Sequence, residues 1–103
     1  MLLAELALYN QSQRFELLAV LYAKTQSGSV PIWDLSQVAN EKGINKHQFD
    51  RAFEYLLQEG LVNSPIEGYF TKITHLGIKA IEDVFKEVNK PSQHFPAYTR
   101  MIK

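Results

Sequence analysis

Between Lys42 and Gln48 the sequence closes one helix and opens another, and few folds accommodate two helix boundaries so close together. Asp34 to Lys42 is a short amphipathic segment with Leu35, Val38 and Ala39 on one side, the spacing of a single helical face. Asp34 is a good N-cap, because its carboxylate accepts from N–H groups that have no partner in the first turn. Gly43 suits the left-handed residue that ends such a helix, with Ile44 packing back as its apolar follower. Asn45 stands three residues before Gln48, the spacing at which two side chains exchange hydrogen bonds with each other's backbone at a helix start. A second stripe then runs through Phe49, Ala52, Phe53, Leu56 and Leu57 and stops at Gly60.

Arg14 to Lys24 supplies what this pair needs to pack against. Phe15, Leu17, Leu18, Ala19, Val20, Leu21, Tyr22 and Ala23 are apolar nearly all the way round. A helix without a polar face is buried on most sides, so this one is expected at the centre. Leu61 to Ile66, a Glu67-Gly68 turn and Tyr69 to Ile73 form a hairpin in which Lys72, alternating with Thr71 and Ile73, points outward. Val30 to Trp33 is expected as an edge strand, where Pro31 is tolerated. Thr74 caps a last helix with Ile78, Ile81, Val84, Phe85 and Val88 on one side. The expected core is Phe15, Leu18, Leu21, Leu35, Val38, Phe49, Phe53, Leu56, Ile73, Ile81 and Phe85. Leu2, Leu3, Leu6 and Tyr9 suggest a short helical extension broken at Asn10-Gln11-Ser12. Pro91 bars simple continuation of the last helix. The chain therefore divides into an N-terminal helical extension (1–12), a domain (13–88) and a C-terminal arm (89–103) that is extended or forms a short helix.

With 103 residues, 46% of them hydrophobic, the chain can bury one core but not two. Cysteine is absent, which excludes disulfides and thiolate metal sites. The first residues lack the basic lead and long apolar run of a signal peptide, Glu5 interrupting them. No segment approaches the ~20 apolar residues that span a bilayer, so a cytoplasmic protein with no membrane partner is expected. Eleven basic residues balance eleven acidic ones, which argues against strong nonspecific affinity for nucleic acid. The balance is uneven along the chain, because Asn89 to Lys103 has three basic residues and no acidic one.

Gln58-Glu59-Gly60-Leu61-Val62 resembles the end of a recognition helix leading into the wing of winged-helix transcriptional regulators. Ile73-Thr74-His75-Leu76-Gly77 is similar to the junction that closes their wing. From about Phe15 to Val88 the chain resembles small bacterial regulators of the multiple-antibiotic-resistance-repressor and phenolic-acid-repressor types. The resemblance implies a winged helix-turn-helix, mainly α with a small β-hairpin wing (α+β), built as a three-helix core plus a terminal helix. The chain departs from the pattern in a short wing with Glu67 at its tip, and it lacks the long terminal helices of the larger dimeric members.

In such a fold the second helix of the pair enters a major groove by its N-terminal end. That places Asn45, Lys46, His47 and Gln48, with Arg51 one turn on, against base edges. Lys and Arg can read guanine there, and Asn and Gln can read adenine. Ser36 and Gln37 on the preceding helix, and Lys72 in the hairpin, are candidates for phosphate contact, which positions without specifying. Against this, Asn45 and Gln48 can serve as caps only, and Asp50 and Glu54 repel phosphate. The sequence thus supports a small transcriptional regulator reading duplex DNA with helix 45–59. The alternative is a winged-helix protein–protein interaction module that binds no nucleic acid. His47, His75 and His94 have no metal-ligand spacing, and no phosphate loop or Ser/His/Asp constellation is present. Neither enzyme activity, cofactor nor metal is expected. The apolar termini either fold back or pair two copies, and a homodimer through the N-terminal and C-terminal segments is expected.

Overall fold

The computed structural model describes residues 2–28 and 30–102. Helix α1 (Leu3–Ser27) is about 37 Å long at ~1.5 Å per residue. It thus spans a molecule measuring 36 × 30 × 23 Å. Strand β1 (Trp33–Asp34), helices α2 (Leu35–Glu41) and α3 (Lys46–Gln58), strands β2 (Val62–Asn63) and β3 (Phe70–Ile73), and helices α4 (His75–Lys86) and α5 (Tyr98–Met101) follow. The fold is mainly helical with one small antiparallel sheet, an α+β arrangement. α1 touches α2, α3, α4, α5 and β3, and it buries Phe15, Leu17, Leu18 and Leu21. The apolar helix is central, as its composition requires.

One expected break is missing. α1 runs without interruption through Asn10-Gln11-Ser12. None of these is Pro or Gly, and each costs only a few tenths of a kcal/mol in a helix interior. The stretch expected as a separate extension is the first part of α1.

The other boundaries follow their caps. Asp34 Oδ1 accepts from the Ser36 N–H at 3.0 Å. Asn45 Oδ1 accepts from the Gln48 N–H at 2.9 Å while Gln48 Oε1 accepts from the Asn45 N–H at 3.3 Å, a complete capping box. Gly43 and Gly60 both lie in the left-handed region, at φ 73 and 70. Each sits inside the same double bond pattern: Ile44 N–H to Ala39 O with Gly43 N–H to Asn40 O, and Leu61 N–H to Leu56 O with Gly60 N–H to Leu57 O. These paired bonds satisfy carbonyls left over at a helix end, so α2 and α3 are both stopped by backbone chemistry.

The sheet order is β1-β3-β2. β1 lies one to three residues later than the strand expected over Val30 to Trp33, with Trp33 opposite Thr71 and Asp34 opposite Phe70. Pro31 stays outside it, having no N–H to give. In β3, Thr71 and Ile73 are buried and Phe70 and Lys72 exposed, so Lys72 does point outward. The β3–α4 junction is tied to the end of α3. Thr74 Oγ1 donates to Gly60 O at 2.6 Å and accepts from the Gly77 N–H at 3.0 Å.

The expected core is buried except for Phe85, which is 51% exposed. Its ring sits at the rim of the core, tilted against Phe15 and Tyr98 at 6.1 and 5.0 Å between centroids. Leu57 also faces outward, and Val88 lies beyond the end of α4. The C-terminal arm folds back on its own chain. Phe95 is buried edge-on against Phe15, centroids 5.4 Å apart, and Tyr98 stands 5.9 Å from the same ring. The arm therefore does not meet Leu2, Leu3 and Leu6, which remain exposed. Among the described residues no helix is long and apolar enough to cross a membrane.

Candidate nucleic-acid interface

The first two turns of α3 project from the domain because Phe49, Ala52, Phe53 and Leu56 hold its opposite side in the core. Of the side chains expected to read DNA, several are already engaged. Asn45 and Gln48 are occupied with each other's backbone, and Gln48 Nε2 also donates to the Tyr9 hydroxyl at 3.0 Å. Lys46 Nζ donates to Asp50 Oδ2 at 3.2 Å and to the Tyr69 hydroxyl at 3.4 Å. The Asp50 bond first, and Tyr69 second, raise the Lys46 pKa above its ordinary value. Ser36 donates its hydroxyl hydrogen to Asp34 Oδ1 at 2.6 Å.

His47 and Arg51 are different. Both are exposed, four residues apart on the outward side of α3, and among the described residues neither makes a side-chain hydrogen bond or ion pair. Gln37 is likewise exposed on α2. Lys72 belongs to a separate region: with Asn63, His75 and Gln26 it lines a groove of about 420 Å³ between the sheet, the end of α1 and the start of α4. Among the described residues no carboxylate lines that groove. Of the eight candidates, Asn45, Lys46, His47, Gln48 and Arg51 form a first group on the opening turns of α3, Ser36 and Gln37 lie in the first turn of α2, and Lys72 stands apart on β3.

Comparison with protein-family models, with curated proteins and with solved structures finds no match to this chain.

Tyr69 organises the first group, and nothing in the sequence marks it beyond its place after Glu67-Gly68. Its ring packs edge-on against Phe49 and Phe53, centroids 4.9 and 5.2 Å away. Its hydroxyl donates to Asp50 Oδ1 at 3.2 Å. One side chain from the hairpin therefore fixes both the packing and the charge pairing of α3's first turns. Arg14 similarly lies over the Tyr55 ring, 4.1 Å from its centroid, and is drawn to the flank of α3. His94 has a side chain only 14% exposed, with Nδ1 3.5 Å from Glu59 Oε1. The arm therefore passes beside the end of α3. Among the described residues no cluster of three or more His, Asp or Glu side chains has metal-binding geometry.

Proposed function

We propose that this chain is a winged helix-turn-helix protein that binds duplex DNA, with α3 as the helix presented to the major groove and the β2–β3 hairpin as a short wing. The reading rests on one observation: α3, stopped and capped at both ends, holds His47 and Arg51 outward with no side-chain partner among the described residues. Donors held on a rigid helix and left unspent are what base or phosphate recognition uses. Lys46 adds charge at the same end, though its pairing with Asp50 must loosen before it meets a phosphate. Lys72, in its acid-free groove, is suited to a backbone contact at the wing. A role as a small transcriptional regulator in the cytoplasm accords with this reading.

A second reading is favoured by a specific observation. Ile66 and Phe70 are exposed on the hairpin beside Glu67, an apolar and acidic tip that suits a protein partner better than a phosphate backbone. One assay separates the two. Affinity for random duplex DNA, measured against salt, should fall steeply as counterions are released, and Arg51→Glu should weaken binding and flatten the slope by about one. Absence of any DNA affinity at low salt replaces the first reading with the second.

A further inference from the structure

The buried stripe of α1 outruns the domain that buries it. Gln13, Leu17 and Leu21 are covered. At the same helical spacing, Tyr9, Leu6 and Leu2 continue the stripe toward the N-terminus, and all three are exposed, Leu6 at 42%. Segment 2–9 carries one charged residue, Glu5. A helix end this apolar needs cover.

Beside it runs a trough. One cleft of about 560 Å³ is walled by Glu5, Leu8 and Ser12 of α1, Ile44 of the α2–α3 turn, and Arg100 and Met101 at α5. A second of about 470 Å³ continues along α1 to Ala23 and shares Ser12, Glu16, Lys42 and Met101 with the first. From Glu5 to Ala23 the trough follows α1 for ~27 Å, a length that suits a helix rather than a compact small molecule. Two features within it lack internal partners. Gln13 is only 7% exposed, lines the first cleft, and makes no side-chain hydrogen bond among the described residues. Arg100 is exposed and has no ion pair among them, whereas the neighbouring Lys42 is matched to Glu16 at 3.6 Å.

We propose that this trough receives the first turns of α1 from a second copy of the chain, the two α1 helices lying antiparallel about a two-fold axis. The surface is self-complementary, as such an axis demands. Each copy offers an apolar helix end bearing Glu5, and each offers a trough bearing an unmatched Arg100, so Glu5 of one copy meets Arg100 of the other twice over. Leu2 and Leu6 bury against the partner's Leu8, Ile44 and Met101, and the Gln13 amide is enclosed at the seam. This inference does not depend on DNA binding.

Charge swaps on the full chain test it. Sedimentation equilibrium from ~1 μM to ~1 mM should show a monomer–dimer equilibrium. Leu6→Glu should leave only monomer, while circular dichroism reports an unchanged fold. Glu5→Arg and Arg100→Glu should each weaken association at least ~10-fold. An equimolar mixture of E5R and R100E should associate nearly as tightly as the unaltered protein, because in that mixture the opposite charges face each other only across the two copies. A chain that stays monomeric throughout the range overturns the proposal and leaves the trough to another occupant. A dimer indifferent to Leu6→Glu, or a mixture no tighter than either single variant, overturns it equally.

Discussion

Gly77 occupies a place where no other residue fits. A Cβ there would lie 2.1 Å from Leu61 O and 2.7 Å from Ile73 Cγ1, and backbone cannot be pushed aside as a flexible side chain can. Alanine is the better helix former by ~1 kcal/mol, so propensity alone makes Gly77→Ala stabilising. The close approach of α4 to the Leu61 carbonyl reverses that sign, and urea denaturation should register a net loss of ~1–3 kcal/mol. A neutral or stabilising result would mean that the α4 start can slide. Asp83 offers a second test at this scale. Its carboxylate lies between Lys79 Nζ at 2.8 Å and Lys86 Nζ at 2.9 Å, and Lys79 first, then Lys86, lower its pKa. A carboxyl depressed in the folded state adds stability above its unfolded pKa, and that stability disappears as pH falls through the folded value. Carbon-detected NMR titration should place the Asp83 midpoint below the ordinary aspartate range, and Lys79→Met should move it upward.

The C-terminal arm behaves as part of the core rather than as an appendage. Phe95 is fully covered, and the Ser92 N–H bonds the Phe95 carbonyl at 2.8 Å to close a tight loop after Pro91. Phe95→Ala should therefore cost ~3–5 kcal/mol in denaturant unfolding, a large share of the stability of a domain this size. A loss under ~1 kcal/mol would detach the arm from the core after all. Pro91 made the stop of α4 legible, but not where the chain goes next, because apolar residues in a tail read alike whether their cover is local or distant. Helix ends were read correctly wherever a residue has a local duty, as with Asp34, Gly43, Asn45, Gly60 and Thr74. The supposed break at Asn10-Gln11-Ser12 was misread because weak helix formers yield to the packing of a long helix on either side of them. Phe85 shows the converse limit: helical periodicity placed it on the buried side, but at the last turn of α4 it meets the Phe15 and Tyr98 rings at the rim and stays half exposed.

Across the molecule, α1 is shared by every layer, so its middle should exchange amide hydrogens only when everything unfolds. Its first turns, which stand clear of the core, should open locally. Hydrogen exchange should accordingly find residues 13–22 protected at the level of global stability and residues 6–9 much less so. Protection at 6–9 should rise with protein concentration through the self-association proposed above. Equal protection along the whole helix in dilute solution would contradict this division. At this scale the sequence was informative about the order of elements but not about their engagement. The capping box was visible, whereas Tyr69's place beside the Lys46–Asp50 pair was not, because Tyr69 comes from a second element whose distance from α3 no local pattern encodes. The single tryptophan has a consequence of another kind. Trp33 donates its Nε1 hydrogen to Val30 O at 2.9 Å, and the Lys24 ammonium stands 4.5 Å from its ring centroid. All indole fluorescence therefore arises at the seam between the end of α1 and the sheet, beneath a fixed positive charge, and neither the first turn of α3 nor α5 contributes to it. An emission-based melting curve follows that seam coming apart. Lys24→Met alters the brightness of the folded protein while leaving the unfolded baseline where it was.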